Sequence, residues 1–186
     1  MLDYYDFSLC QIQSSDKDLI LQWRNTEKVR YNMYSDHVIS EEEHDKWFCN
    51  ALVDKAATYL IFQYKENPIG FLSFTNINHF HNRCYWAFYL GPVDIPRGAG
   101  AVLEYFALEY AFKTLKIRKL CCEVFVFNTA VIRLHEKFGF VEEGRFFEHY
   151  IKNEKYEDIV CLAKFGLTWA DEREMFKSRI FGKVGV

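Results

Sequence analysis

Proline is scarce, at 3 residues in a chain of 186, and no stretch is rich in glycine, serine or charge of one sign. With no linker, repeat or low-complexity tract, this length reads as a single domain, 1–186, able to bury its own core. No apolar run reaches the roughly 18 residues that a transmembrane helix needs. The opening Met1-Leu2-Asp3-Tyr4-Tyr5-Asp6 lacks the basic and apolar regions of a signal peptide. Lys and Arg number 23 against 26 Asp and Glu, for a formal net charge of -3, with neither sign clustered. That balance disfavours nucleic acid as a partner, and the expectation is a cytoplasmic protein with no membrane attachment. The 6 cysteines form no CxxC pair, and the neighbours Cys121 and Cys122 point to opposite faces of a strand. Reduced thiols and no metal are expected. His79-Phe80-His81 with Cys84 is a metal-like spacing, but Asn76, Asn78 and Asn82 mark a solvated turn. What is abundant is aromatic: 18% of the chain, with 12 Tyr and 18 Phe. That exceeds the needs of a small core, so part of it should line a ligand pocket.

Residues 7–12 alternate as a strand, and Asp16 is placed to N-cap a helix with Leu19, Ile20 and Trp23 on one face. Ser40-Glu41-Glu42-Glu43 reads as a capping box before a helix whose one face carries His44, Trp47, Phe48 and Ala51. Strands are predicted over 58–64 and 69–75, with Asn67-Pro68 as their turn, and over 84–90, apolar on both faces and therefore central. A helix over 98–115 with Val102, Leu103, Phe106, Tyr110 and Leu115 inward precedes a central strand over 120–127. A short helix over 129–138, strands over 140–150 and 155–164, and a charged helical tail 168–186 anchored by Trp169 and Phe176 complete an α/β chain around one mixed sheet.

Chemistry concentrates in two segments. Pro96-Arg97-Gly98-Ala99-Gly100-Ala101 stands between a central strand and the long helix. Its small residues let backbone approach a ligand, and the first helical N–H groups, with the helix dipole, suit a diphosphate. Arg97 adds a cation, although an ordinary strand-to-helix turn has the same composition. No Gly-Lys-Ser/Thr follows, so this is not a Walker loop, and the third glycine of the dinucleotide fingerprint is missing. Downstream, the run from Asn128-Thr129-Ala130 through Leu134-His135-Glu136-Lys137-Phe138-Gly139-Phe140 leads to Glu143-Gly144-Arg145. It is a strand ending in Asn, a short helix, and a Gly-Phe turn into the next strand.

Together the two segments resemble the GCN5-related N-acetyltransferase superfamily over nearly the whole chain. Ser15-Asp16 through Leu21-Gln22-Trp23-Arg24-Asn25 is similar to the branch containing the ribosomal-protein N-terminal acetyltransferases. The resemblance implies splayed central parallel strands at 84–90 and 120–127, with acetyl-CoA as co-substrate in the wedge between them. It implies that backbone groups of Phe88, Tyr89 and Leu90 pair with the pantetheine. The N–H groups of Gly98, Ala99, Gly100, Ala101 and Val102, with Arg97, would hold the pyrophosphate. Asn128 would contact the pantetheine arm, and Arg133 and Lys137 are candidates for the phosphates unless they are only a solvated helix face. The family usually carries a tyrosine after the leucine of this helix, thought to protonate the leaving thiolate; this chain has His135 there. An imidazole, with an ordinary pKa of about 6.5, can donate near neutrality. A thiol with a pKa of about 8.5 needs only modest help. The plain alternative is a histidine that only packs against Val131.

The acceptor amine must be neutral to attack a thioester. Glu123, alone in an apolar strand on the face of Cys121 and Phe125, is one candidate base; it should have a raised pKa or a bound partner, an arginine being the plain choice. His44, on the helix face of Trp47, is the other, unless it is a surface histidine. A finer resemblance runs through Trp23-Arg24-Asn25, Asn32-Met33-Tyr34-Ser35, Ile39-Ser40 and His44, with Glu123-Val124 and Glu136-Lys137. These are similar to the acetyltransferases of the pseudaminic acid pathway, which act on the 4-amino group of a UDP-linked 4-amino-4,6-dideoxy-N-acetyl-altrosamine. That implies a nucleotide-sugar pocket of Arg24, Met33, Tyr34, His44, Trp47, Tyr85 and Glu123. Arg24 would meet the diphosphate or a ring, and Met33, Tyr34 and Trp47 would face uracil and the 6-deoxy methyl group, with core packing as the plain alternative for Met33 and Trp47. Such a sugar amine is less basic than lysine, so a strong base is less needed. Same-fold alternatives are a protein N-terminal or lysine acetyltransferase and a polyamine acetyltransferase, for which Glu41, Glu42 and Glu43 could supply carboxylates. A non-catalytic acyl-CoA-binding module is the alternative of another class. A homodimer is compatible with the chain.

Overall fold

The computed structural model describes residues 2–91 and 94–182. The elements run β1 (Phe7–Gln11), α1 (Lys17–Arg24), α2 (Glu27–Arg30), α3 (Glu41–Val53), β2 (Thr58–Tyr64), β3 (Asn67–Asn78), β4 (Arg83–Leu90) and α4 (Ala99–Glu109). They continue as β5 (Lys119–Phe125), α5 (Thr129–Lys137), β6 (Val141–Lys152), β7 (Lys155–Phe165) and α6 (Gly166–Phe181). Seven strands make one sheet in the order β1-β2-β3-β4-β5-β7-β6. Every neighbouring pair is antiparallel except β4 and β5, which are joined across the sheet through α4 and run parallel.

Helices cover both faces. Ile20 and Trp23 of α1 and Phe48 and Ala51 of α3 bury against Ile61 and Phe71 on one face. On the other, Leu60, Phe62, Leu72 and Phe74 pack with α4. α4 is apolar nearly all round because α6 closes over it through Trp169, Phe176 and Phe181. The Trp169 indole N–H donates to Glu109 at 2.7 Å, and so the charged C-terminal helix is docked on this domain.

One irregularity creates the site. β4 pairs with β5 only from Arg83↔Lys119 to Tyr85↔Cys121. β4 nevertheless stays on β3 to Gly70↔Leu90, and β5 stays on β7 to Phe125↔Ile159. Beyond Tyr85 the two parallel strands therefore part, each held by its outer neighbour. This is the expected pair of splayed central strands.

Local expectations needed correction in several places. Asp16 stands at the N-cap position of α1 as expected, but its carboxylate turns back into the preceding 3-10 turn and accepts from the Gln13 N–H at 2.7 Å, so it makes no cap bond to the helix. Ser40 accepts from the Glu43 N–H at 3.1 Å, but the Glu43 carboxylate turns to His37 at 2.9 Å, so only one arm of the capping box forms. The β2–β3 turn is Lys65-Glu66, both at positive φ (48° and 64°), and not Asn67-Pro68. Asn67 and Pro68 already pair with Tyr64 and Gln63 beside a register shift, where the missing proline N–H is tolerated. The helix predicted over 98–115 is α-helical only to Glu109 and continues as a π-type turn, Tyr110–Thr114.

Gly91 shows how tightly α1 is seated. A Cβ built there would stand 2.1 Å from the Trp23 indole. Gly91→Ala is expected to cost about 1–3 kcal/mol through overpacking. A thermal melt should fall by roughly 2–4 °C per kcal/mol. An unchanged melt would mean that Trp23, and Arg24 beside it, shift freely.

Candidate active site

Alternation along the strands sorts the site residues. Phe71↔Tyr89, Ser73↔Ala87 and Thr75↔Tyr85 are cross-strand neighbours on the face of α1 and α3, and Tyr85 neighbours Cys121. Two residues on from Cys121, Glu123 shares that face. Trp86, Phe88, Cys122 and Val124 lie on the opposite face, towards α4 and α5. Three cavities of about 330, 670 and 160 Å³ meet at Ala87, which lines all three.

The first cavity lies between α1, α3 and the sheet. Trp47 stands edge-on to Tyr59 at 5.6 Å and to Phe71 at 6.2 Å, and Phe71 stacks on Tyr89 at 5.2 Å. Arg24 ends α1 on the wall of this cavity. Its Nη2 donates to the Ser35 carbonyl at 2.7 Å and to Ser35 Oγ at 2.9 Å, whereas Nη1 is sealed from solvent and has no partner among the described residues. No ion pair to Arg24 occurs among the described residues. Burial lowers its basicity, yet a guanidinium stays charged. Met33 lines the same cavity. His44 does too, but it is buried and its Nε2 donates to the Lys17 carbonyl at 2.8 Å, which fixes the tautomer and ties the ring into the α1–α3 packing.

The second cavity is polar, with Tyr85, Asn76, Asn78 and Arg83 on its wall. Glu123 reaches both this cavity and the third. Its partner is not an arginine: the Tyr34 hydroxyl donates to Glu123 Oε2 at 2.5 Å. Tyr34 stacks on Tyr150 at 4.1 Å. Burial first, then the Glu123 carboxylate, push its phenol well above the ordinary range, so it remains a donor.

The third cavity fills the splay. From one face Met33, Tyr34, Ala87 and Glu123 line it; from the other Phe88, Cys122, Asn128, Val131 and His135 do. It passes through the sheet. Asn128 caps α5, with Oδ1 accepting from the Val131 N–H at 3.4 Å. His135 does more than pack against Val131. It is buried, its Nδ1 lies 2.8 Å from Glu104 Oε1, and its ring meets Phe140 at 4.9 Å and Trp86 at 5.4 Å. Burial disfavours the imidazolium, but the Glu104 carboxylate and then Cys122 together outweigh it and hold the ring above the usual histidine range.

At the start of α4, Gly98 adopts φ 93°, a left-handed conformation that glycine accommodates without strain. The Ala99 N–H bonds the Pro96 carbonyl at 3.0 Å, and the N–H groups of Ala101 and Val102 bond that of Gly98. The nest expected from five amides is therefore narrower: those of Gly98 and Gly100 are without a backbone partner among the described residues. Arg97, Arg133 and Lys137 are exposed, the last two one turn apart on α5. Phe88, Tyr89 and Leu90 keep their β3 pairing and are free of β5, which leaves one backbone edge open to the wedge. Splay, amides and cations fit a coenzyme A thioester. Sequence reasoning missed Ser35, Ser73 and Ala87, small residues that open space between aromatics, and Trp86, whose buried Nε1 has no partner among the described residues. It also missed Glu104, although a single carboxylate within Val102-Leu103-Glu104-Tyr105-Phe106-Ala107-Leu108 was a visible signal.

A family model described as an acetyltransferase (GNAT) domain matches residues 7–141. Spermidine N(1)-acetyltransferase of Vibrio cholerae is 25% identical over 153 residues, 82% of this chain and 88% of that protein. Acetyltransferase PseH of Campylobacter jejuni is 30% identical over 130 residues, 70% of this chain and 80% of that protein. The crystal structure of the V. cholerae spermidine N-acetyltransferase with CoA and spermine shares the fold, with a TM-score of 0.84 at 23% identity, over 89% of this chain and 99% of that one. The matched span holds the splayed strands, the α4 turn and α5, and the chain belongs to the GNAT family as an acetyl-CoA-dependent N-acetyltransferase.

Proposed function

We propose that the acceptor is the 4-amino group of a UDP-linked 4-amino-4,6-dideoxy-N-acetyl hexose of the altrosamine type. Arg24 carries this reading. A guanidinium with an unpartnered, buried Nη1, beside the aromatic walls of Trp47, Phe71 and Tyr89, suits an anionic, ring-bearing ligand. The pyrophosphate and uracil of a nucleotide sugar have that character. Similarity to PseH supports the same choice. Met33 and Tyr85 lie on the walls along which the sugar would reach the splay.

In this reading the amine approaches from the face of Glu123 and the thioester from the face of His135. The amine lone pair attacks the carbonyl carbon, Glu123 receives the proton released by nitrogen, and His135 protonates the departing sulfur. His44 shapes the pocket wall. The Gly98 and Gly100 amides, with Arg97, Arg133 and Lys137, hold the phosphates of the coenzyme, and the open edge of Phe88, Tyr89 and Leu90, with Asn128, holds its pantetheine.

A polyamine acceptor is the second reading, favoured by the similarity to spermidine acetyltransferases and by Glu43 on the wall of the first cavity. Glu43 is already engaged by His37, however, and Arg24 sets positive charge where a polyammonium would lie. Thiol release from acetyl-CoA decides between them. The acceptors are UDP-4-amino-4,6-dideoxy sugars of altro and gluco configuration, spermidine, and a ribosomal N-terminal peptide. Turnover is expected with the altro sugar. Turnover with spermidine alone would overturn the assignment of Arg24 and leave the coenzyme site standing.

A further inference from the structure

We propose that Glu104 is the positioning residue for His135: this buried carboxylate on α4 holds Nδ1 and so orients the imidazole with Nε2 as the proton donor to the departing thiolate. The inference rests on acetyl transfer at the strand splay and on His135 as donor there, not on which amine is acetylated.

Glu104 is 0% exposed and His135 2%. Glu104 Oε1 accepts from His135 Nδ1 at 2.8 Å, and Oε2 has no partner among the described residues. A carboxylate sealed inside a helix layer is unfavourable without a cation, and His135 is its one ion-pair partner among the described residues. A purely packing role asks for an apolar residue at this place in α4, whose neighbours Leu103 and Tyr105 are both buried. With Nδ1 tied to Glu104, Nε2 is the nitrogen left to donate, and the ring lies on the wall of the cavity that crosses the sheet. The aromatic rings of Trp86, Phe88 and Phe140 surround it. Cys122 is the other titratable group beside the ring, hydrogen-bonds it and also favours its charged form, whereas the charged α5 neighbours Arg133, Glu136 and Lys137 are exposed. Burial in these surroundings would by itself discharge the imidazole; the Glu104 carboxylate first, and Cys122 after it, reverse the direction.

The chemistry balances. The amine nitrogen forms the C–N bond, and the C–S bond breaks with its electron pair on sulfur. The Nε2 proton passes to sulfur and yields the free thiol, leaving neutral imidazole beside the carboxylate. The proton shed by the acceptor nitrogen leaves by way of Glu123 to solvent, and a solvent proton recharges the ring, so that amine and thioester become amide and thiol.

The test pairs histidine-ring NMR titration of the full chain with the pH profile of kcat, using whichever amine turns over. In the unaltered protein the His135 ring should stay charged across about pH 6 to 8, where an ordinary histidine discharges. In Glu104→Gln it should lose its proton within that window. Then kcat at pH 8 should drop about tenfold or more, with its alkaline limb moved to lower pH and KM for acetyl-CoA within about twofold. In a His135→Gln background, Glu104→Gln should have no further effect on kcat. A ring that is neutral throughout in the unaltered protein, an unmoved alkaline limb, or additive effects of the two substitutions would each overturn the proposal. If Glu104→Gln does not fold, Glu104→Asp and the titration of the unaltered chain still decide it. Turnover with spermidine in place of UDP-sugars would sink the acceptor assignment without touching these readouts.

Discussion

Glu123→Gln is expected to lower kcat at pH 7 by about 10²-fold or more, the usual contribution of a positioned general base. The amide keeps the shape of the carboxylate and can still accept from the Tyr34 hydroxyl, which now donates to Oε2 at 2.5 Å. What is lost is the ability to take a proton from the attacking nitrogen. The defect should therefore depend on pH in a particular direction. As pH rises, more of the bound amine is already neutral, the base has less to do, and the variant should approach the unaltered rate. Tyr34→Phe removes only the donor, leaves the carboxylate in place, and should cost less than Glu123→Gln. The check is a kcat profile for all three proteins with KM measured at each pH. An unchanged kcat with a raised acceptor KM would make Glu123 a binding group and leave proton removal to water.

Glu123 was legible because a lone carboxylate in an apolar strand must have either a partner or a task. The same rule applied to Glu104, yet its partner could not be read, since His135 is 31 positions away and meets it only where α4 and α5 pack together. His135 itself stood out by its place in a short helix after Asn128. The splay between β4 and β5 was legible only through resemblance. Nothing in the residues 86–90 says that they will leave β5, because each strand is retained by pairing on its far side with β3 or β7. The Lys65-Glu66 turn lost to Asn67-Pro68 because neither lysine nor glutamate advertises positive φ; the tight connection imposes it. α2 buries only Val29 in four residues, too few for a period to show. The wall of the first cavity combined both kinds of signal. Trp47 and Met33 could be named, whereas Ser73 and Ala87 matter by being small and carry no mark in the sequence.

Arg24→Met should reduce kcat/KM for a UDP-amino sugar by about one to two orders of magnitude. A hydrogen bond to a charged group contributes about 1.5–3 kcal/mol, and each 1.4 kcal/mol is tenfold. The loss should fall on KM, with kcat at saturation nearly unchanged, because the nucleotide is held alike in ground and transition states. Arg24→Lys should not rescue it, since a point charge replaces a fork that reaches Ser35 with one arm and offers the other to the ligand. Folding should respond in the opposite sense. A sealed, unpartnered Nη1 opposes stability, so the methionine variant should melt no lower than the unaltered chain. Tight packing around Trp23 leaves little freedom for the guanidinium to move away, so a methionine that restores stability while weakening nucleotide binding would mean that the orphaned donor is retained for the ligand. The reverse pattern, a lower melt with unaltered kcat/KM, would make Arg24 a clamp for Ser35 and its loop and return the acceptor pocket to the polyamine reading.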